Sequence, residues 1–103
     1  MTKNDILEKL TQEKSYIQNT FEVDKIGLFG SYARNNATLT SDIDIAIKLD
    51  KNYLDKNDVW NYFNEINKIK EMVYNKFQMK SDVFDLDSCS SLKDKIEKEV
   101  LYV

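Results

Sequence analysis

The sequence contains no histidine and no proline, and it has a single cysteine, Cys89. Without histidine, neither a histidine base nor a histidine-ligated zinc ion can belong to an active site. One cysteine cannot form an internal disulfide, and the absence of proline leaves every predicted strand its full set of backbone N–H donors. Any catalysis must therefore depend on carboxylates and hydroxyls.

Long apolar runs and an excess of positive charge are missing as well. No segment approaches the roughly 18 consecutive apolar residues of a membrane span, and the first ten residues lack the apolar core of a signal peptide. The formal net charge of −3 gives no general attraction to nucleic acid backbones. We expect a cytoplasmic protein with no membrane partner and no direct nucleic acid partner.

A chain of 103 residues, 42% of them hydrophobic, can build one compact core but not two, so we expect a single domain over residues 1–103. Hydrophobic periodicity predicts helices at about 2–19, 56–77 and from 91 onward, strands at about 25–29, 42–49 and 80–86, and a helical turn and polar loop at 32–41. The long helix is expected to bury the stripe Val59, Phe63, Ile66, Val73 and Phe77. This order predicts an α+β fold with helices on one face of a small mixed sheet.

The second predicted strand alternates strictly between apolar and polar residues. Ile43, Ile45 and Ile47 fall on one face, and Asp42 and Asp44 fall on the other. Two carboxylates at positions i and i+2 of a strand are close enough to bind one hard cation such as Mg²⁺, or to bridge two. The exposed face of this strand is therefore a candidate metal site.

Gly30 and Ser31 stand at the end of the first predicted strand, with ten residues between Ser31 and Asp42. A glycine and a serine that open a helical turn offer bare backbone N–H groups and a hydroxyl to a triphosphate tail. Arg34 is a candidate phosphate or partner contact, with a solvated surface charge as the alternative. Together these groups supply the charge neutralisation and orientation that nucleotidyl transfer requires.

A third carboxylate would complete a two-metal site, and the third predicted strand offers Asp82 and Asp85. If Val83 faces the core, Asp82 lies on the face of the site; if Phe84 faces the core, Asp85 does. Strand alternation alone leaves both open. Either carboxylate could also act as the general base that removes the proton of an acceptor hydroxyl.

The segments GSYARNNATLTSDIDIAI, SDVFDL and IEKEV resemble the minimal nucleotidyltransferases, the smallest members of the DNA polymerase beta superfamily. The resemblance extends from the first strand to the last helix. It implies that Gly30 and Ser31 bind triphosphate, that Asp42 and Asp44 bind two Mg²⁺ ions, and that Asp82 completes the site.

Two positions depart from the family pattern: Asn35 stands where glycine is common, and Leu39 stands where proline is common. Asparagine tolerates a left-handed backbone better than most residues, so the turn can survive the first change. The second change suggests a looser loop. Neither position is a proposed metal ligand.

Many proteins of this kind resemble the antitoxin of a pair with a HEPN-domain toxin, in which AMP is transferred from ATP to a tyrosine of the toxin. For this chain the resemblance implies a toxin–antitoxin function through AMPylation. A chain this short has little material for an acceptor surface, so a HEPN partner or another subunit of a homo-oligomer is expected to supply it. The alternatives are transfer to a small-molecule hydroxyl, and an antitoxin that only masks its partner.

Overall fold

The computed structural model describes residues 1–88 and 90–103, so Cys89 lies outside the described residues. Along them the elements follow in the order α1 (Lys3–Phe21), β1 (Val23–Phe29), α2 (Gly30–Ala33), β2 (Ile43–Leu49), α3 (Tyr53–Lys56), α4 (Val59–Phe77), β3 (Ser81–Asp85), α5 (Lys93–Glu99) and β4 (Leu101–Tyr102). None of the described helices is long and apolar enough to cross a bilayer.

The strands form one mixed sheet in the order β3-β2-β1-β4. β1 pairs antiparallel with β2 and with β4, whereas β2 and β3 run parallel. Parallel neighbours need a crossover connection, and α3 and α4 provide it between β2 and β3. The predicted α+β fold with a small mixed sheet is confirmed.

The main core lies between one face of this sheet and the two long helices. Alternation along β2 turns Ile43, Ile45 and Ile47 toward these helices, and all three are fully buried. α1 begins at a capping box, in which the Thr2 side chain accepts from the Asp5 N–H and the Asp5 carboxylate accepts from the Thr2 N–H. From α1 the core receives Ile6, Leu10, Ile17 and Phe21.

The opposite face is partly covered by α5, so helices do not pack on one face alone. Ile96 of α5 is buried against Ala46 of β2 and Leu86, and the rings of Phe29 and Phe84 meet edge to face beside them. The expectation of an open second face therefore holds only for the end of the sheet that carries the N-terminus of β2. The alternating pattern of β2 could not reveal this cover, because alanine at position 46 suits either environment.

The predicted apolar stripe of the long helix is wrong at its N-terminal end. Val59 and Phe63 are exposed, and the buried residues of α4 are Ile69, Val73 and Phe77. A helix of 19 residues is about 28 Å long, whereas a strand of five residues such as β3 spans about 17 Å. The first half of α4 therefore contacts the core only partly, through Tyr62 and Ile66, while Val59 and Phe63 remain outside it.

The boundaries of two other elements also differ from prediction. Residues 53–56 form the separate short helix α3, because α4 starts afresh after Asp58, whose side chain accepts from the Asn61 N–H. α5 begins at Lys93, two residues later than predicted, and has no side-chain cap. β4 was not predicted, since two residues carry no periodic signal.

Candidate active site

The register between β2 and β3 brings two of the predicted carboxylates together. Asp44 and Asp82 are directly paired across the parallel strands, so their side chains leave the same face of the sheet. Asp42 immediately precedes β2 and lies two residues before Asp44. The Ile43 N–H donates to the Lys80 carbonyl at 3.0 Å and fixes the two strand ends side by side. Three carboxylates thus share one end of the sheet.

Asp85, the alternative third carboxylate, lies on the opposite face. Val83 packs against the main core, and Asp85, two residues further along the strand, is buried on the same side. Its carboxylate accepts from the Tyr62 hydroxyl at 2.8 Å and from the Asp87 N–H at 2.9 Å. Burial, followed by the hydrogen bond to Asp85, raises the pKa of Tyr62 well above its ordinary value. Asp85 therefore links β3 to α4 and does not belong to the cluster of Asp42, Asp44 and Asp82.

The surroundings of Asp44 disfavour the ionised form of its carboxyl group. Burial raises its pKa first, and the charges of Asp82 and Asp42 raise it further. The Arg34 guanidinium lowers the pKa, and the Glu99 carboxylate raises it. Four acidic groups therefore act on one another here against a single arginine, and a bound cation would relieve this repulsion.

Gly30 forms the sharp turn that carries the chain from β1 into α2. Its φ of +76° lies in the left-handed region, where residues with a Cβ are strained. A Cβ built on Gly30 would overlap the Oδ2 atom of Asp44 and lie 2.7 Å from its Cγ. The main chain can approach the carboxylate this closely only because residue 30 has no side chain.

The residues after Gly30 keep the turn compact. The Arg34 N–H donates to the Gly30 carbonyl at 3.1 Å, and the Asn36 N–H donates to the Ser31 carbonyl at 2.9 Å. Ser31 is partly exposed in the first turn of α2, where backbone N–H groups lack intrahelical acceptors. Asn35 has φ of +61°, so asparagine does adopt the left-handed conformation expected of it.

Glu99 completes the surroundings of the turn and was not predicted to belong to the site. Its carboxylate forms an ion pair with Arg34 at 3.0 Å and accepts from the Gly30 N–H at 3.1 Å. The signal was the spacing from Ile96: residues three apart share a helix face, so the face that buries Ile96 also directs Glu99 toward the sheet. The many charges of α5 concealed that pattern by suggesting a fully solvated helix.

The chemistry of the three clustered carboxylates fits a hard divalent cation. Asp42, Asp44 and Asp82 offer carboxylate oxygens, which Mg²⁺ prefers, and their mutual repulsion favours a positive neighbour. Within residues 1–88 and 90–103, no three acidic, thiol or imidazole side chains already converge on one point. Cation binding would therefore have to draw the carboxylates together from their present positions.

An open cavity of about 470 Å³ adjoins the carboxylates. It begins at Asp42 and Asp82 and extends along α4, where Lys70 and Tyr74 line it. Ser81 also lines this cavity, and its buried hydroxyl has no hydrogen-bond partner among the described residues. A cleft of about 530 Å³ between α1 and α4 shares Glu71 and Asn75 with this cavity, but none of the three aspartates lines it.

The sequence model of the family described as "Polymerase beta, Nucleotidyltransferase" matches residues 11–103. The chain belongs to the polymerase beta nucleotidyltransferase family. Among curated relatives, "Putative protein adenylyltransferase MJ1379" of Methanocaldococcus jannaschii is 33% identical over an alignment of 106 positions. The alignment covers 99% of this chain and 98% of the relative. "Putative protein adenylyltransferase MJ0126" of the same organism is 31% identical and covers the same shares. This nucleotidyltransferase therefore has relatives of nearly its own length.

Several solved structures have the same fold. A structure described as a "putative minimal nucleotidyltransferase" superposes with a TM-score of 0.72 at 15% identity, over 98% of this chain and 95% of that one. A toxin–antitoxin complex with AMP-PNP gives 0.59 at 21% identity, over 99% of this chain and 72% of the other. A mutant of the toxin–antitoxin MntA-HpeT gives 0.57 at 19% identity, over 99% and 71%.

Proposed function

We propose that this nucleotidyltransferase uses Mg²⁺ to move AMP from ATP to an acceptor hydroxyl, which is a tyrosine of a HEPN-type toxin partner. The observation that supports the proposal most directly is the register that places Asp44 beside Asp82, with Gly30 against Asp44. Relatives named as protein adenylyltransferases and toxin–antitoxin structural neighbours agree with it. In this proposal the protein is an antitoxin that acts by AMPylation.

Each part of the site has a distinct role in the proposal. The Gly30–Ser31 turn and Arg34 bind the triphosphate through backbone N–H groups, a hydroxyl and a guanidinium. Asp42, Asp44 and Asp82 are the residues that would hold Mg²⁺. When bound, Mg²⁺ would supply charge neutralisation for the triphosphate and for the departing pyrophosphate.

The reaction itself is an in-line displacement at phosphorus. The acceptor oxygen forms a bond to the α-phosphorus while the bond from that phosphorus to the pyrophosphate oxygen breaks. The proton of the acceptor hydroxyl passes to a carboxylate, and Asp82 is the best placed because it lies on the rim of the cavity beside α4. Asp44, which lies deeper in the site, remains close to the phosphate turn.

The surface beside the cavity supports a protein as the acceptor. The Trp60 side chain is 77% exposed and Phe63 is 55% exposed, and both lie on the N-terminal half of α4. Tyr74 and Lys70 of the same helix line the cavity next to Asp82. Exposed tryptophan and phenylalanine side chains are enriched in the central parts of protein interfaces. A partner that contacts this helix could place a tyrosine over the carboxylates.

Intact-mass spectrometry tests the proposed transfer. We expect an AMP-sized mass increase on any partner that co-purifies with this chain or is encoded beside its gene when the two are incubated with ATP and Mg²⁺, and none when EDTA removes the metal. Peptide mapping should place the AMP on a tyrosine. A stable complex with no mass change would favour the masking antitoxin, and transfer to an added small molecule alone would favour the third alternative.

The two candidates for the third carboxylate are expected to respond differently to removal of the side chain. Asp82→Ala should abolish transfer and leave the melting temperature nearly unchanged, since Asp82 is exposed. Asp85→Ala should retain transfer but lose about 1–3 kcal/mol of stability, because the Tyr62 hydroxyl would be left without its acceptor. Transfer assays run below the melting temperatures of both variants separate a loss of activity from a loss of stability. The reverse pattern would assign the role to Asp85.

A further inference from the structure

Glu99 binds the same donors that the proposed function assigns to the triphosphate. Its Oε1 atom accepts from the Gly30 N–H at 3.1 Å and from Arg34 Nη1 at 3.2 Å. Its Oε2 atom lies 3.0 Å from that same arginine nitrogen. A carboxylate with two oxygens on these donors imitates a phosphate group, since both ligands present anionic oxygen acceptors to N–H groups.

The single N–H of Gly30 cannot serve both the Glu99 carboxylate and a triphosphate. Glu99 already adds negative charge to the group formed by Asp42, Asp44 and Asp82. A triphosphate tail brings further negative charge to the same place, and like charges a few ångströms apart repel strongly in a partly buried site. Binding of the tail to Gly30 and Arg34 therefore requires Glu99 to leave.

We propose that Glu99 is a built-in competitor of the nucleotide, which occupies the triphosphate donors until the tail displaces it; this inference rests on the proposed function. The position of Glu99 permits such a displacement. It is the last residue of α5, its side chain is 21% exposed, and the next residue, Val100, is already extended. A change of side-chain rotamer is enough to release both donors without unfolding α5.

Glu99→Gln tests the competition. Glutamine keeps the length of the side chain, and its carbonyl can still accept from the Gly30 N–H, but it cannot form an ion pair with Arg34. We expect the variant to bind α,β-methylene ATP with Mg²⁺ about tenfold more tightly in calorimetry, which is the difference of one charge-assisted hydrogen bond. The matched control is Glu97→Gln in the same helix, where the Glu97 side chain pairs with Lys93 at 3.9 Å. The affinity of Glu97→Gln for α,β-methylene ATP should equal that of the wild type.

A spectroscopic measurement follows the displacement directly. The chain has two glycines, so ¹⁵N-glycine labelling gives two amide signals. Titration with inorganic tripolyphosphate and Mg²⁺ should shift the Gly30 signal in a saturable way, and saturation should come at a lower concentration in Glu99→Gln. Gly27, which pairs with Tyr102 of β4, reports whether the C-terminal strand stays in place.

Weaker or equal binding by Glu99→Gln would overturn the competition and make Glu99 a residue that holds Gly30 and Arg34 in position. A Gly30 signal that does not move while nucleotide binds would also overturn it. If the folded wild type and both variants fail to bind the nucleotide at all, the triphosphate site of the proposed function is wrong instead.

Discussion

Replacing Asp44 with asparagine is expected to abolish nucleotidyl transfer while the melting temperature stays equal or rises. Loss of an anionic oxygen from a metal-dependent site removes several kcal/mol of transition-state stabilisation, or about a thousandfold in rate. The stability of the folded state should not fall, because burial and the charges of Asp82 and Asp42 already disfavour the ionised form of Asp44. Asparagine has the same shape and no charge. Rates under saturating MgATP and thermal unfolding measure the two effects.

The control for this prediction is Asp24→Asn. Asp24 is an exposed aspartate near the start of β1, at the other end of the strand from Gly30, so its charge change should alter neither rate nor stability. Wild-type transfer by Asp44→Asn would remove the proposed site. A large fall in its melting temperature would mean that Asp44 has a structural role that its raised pKa does not indicate.

Replacing Gly30 with alanine is expected to reduce both stability and transfer. A left-handed φ costs a residue with a Cβ about 1–2 kcal/mol, and the new methyl group would overlap the Asp44 carboxylate in addition. Each kcal/mol lowers the melting temperature of a domain of this size by about 4–8 °C. Displacing the turn or the carboxylate by about 1 Å would lower the rate of transfer about a hundredfold.

Gly27→Ala separates the loss of stability from the loss of the site. A Cβ on Gly27 would lie 2.7 Å from Val100 Cγ2 and 2.8 Å from the Leu101 carbonyl, so it disturbs the β4 edge of the sheet. This variant should melt at a lower temperature yet retain transfer per folded molecule when assayed well below its transition. If Gly30→Ala keeps wild-type transfer, close approach of the turn to Asp44 is not needed for activity.

The helices and strands were predictable from the sequence where the core is as long as the element that shows the periodic hydrophobic pattern. The isoleucines of β2 follow their alternating pattern and are buried, and α1 lies where its periodicity predicts a helix. α4 follows a helical pattern just as clearly, but its length exceeds that of the sheet, and sequence periodicity contains no information about how far a sheet extends. The cover that α5 places over Ala46 escaped prediction for a similar reason, since alanine is found in both buried and exposed positions.

Within the site, spacing in the sequence predicted the neighbours along a strand but not those across strands. Asp42 and Asp44 could be placed on one face from their spacing of two. The choice between Asp82 and Asp85 depended on the register of β3, which is set by tertiary packing of Val83 and by the contact of Asp85 with Tyr62. Glu99 lies 69 residues from Gly30 along the chain, so no local pattern could connect them.

The pairing of Asp44 with Asp82 also bears on how the protein folds. Parallel strands that are far apart in sequence pair slowly, because the entropy of closing the intervening loop opposes contact until the crossover helix is docked. A chain in which β3 has not yet joined β2 therefore has no complete carboxylate cluster. Any ligand that requires both aspartates binds only the finished fold, and by mass action it protects this strand pair against proteolysis.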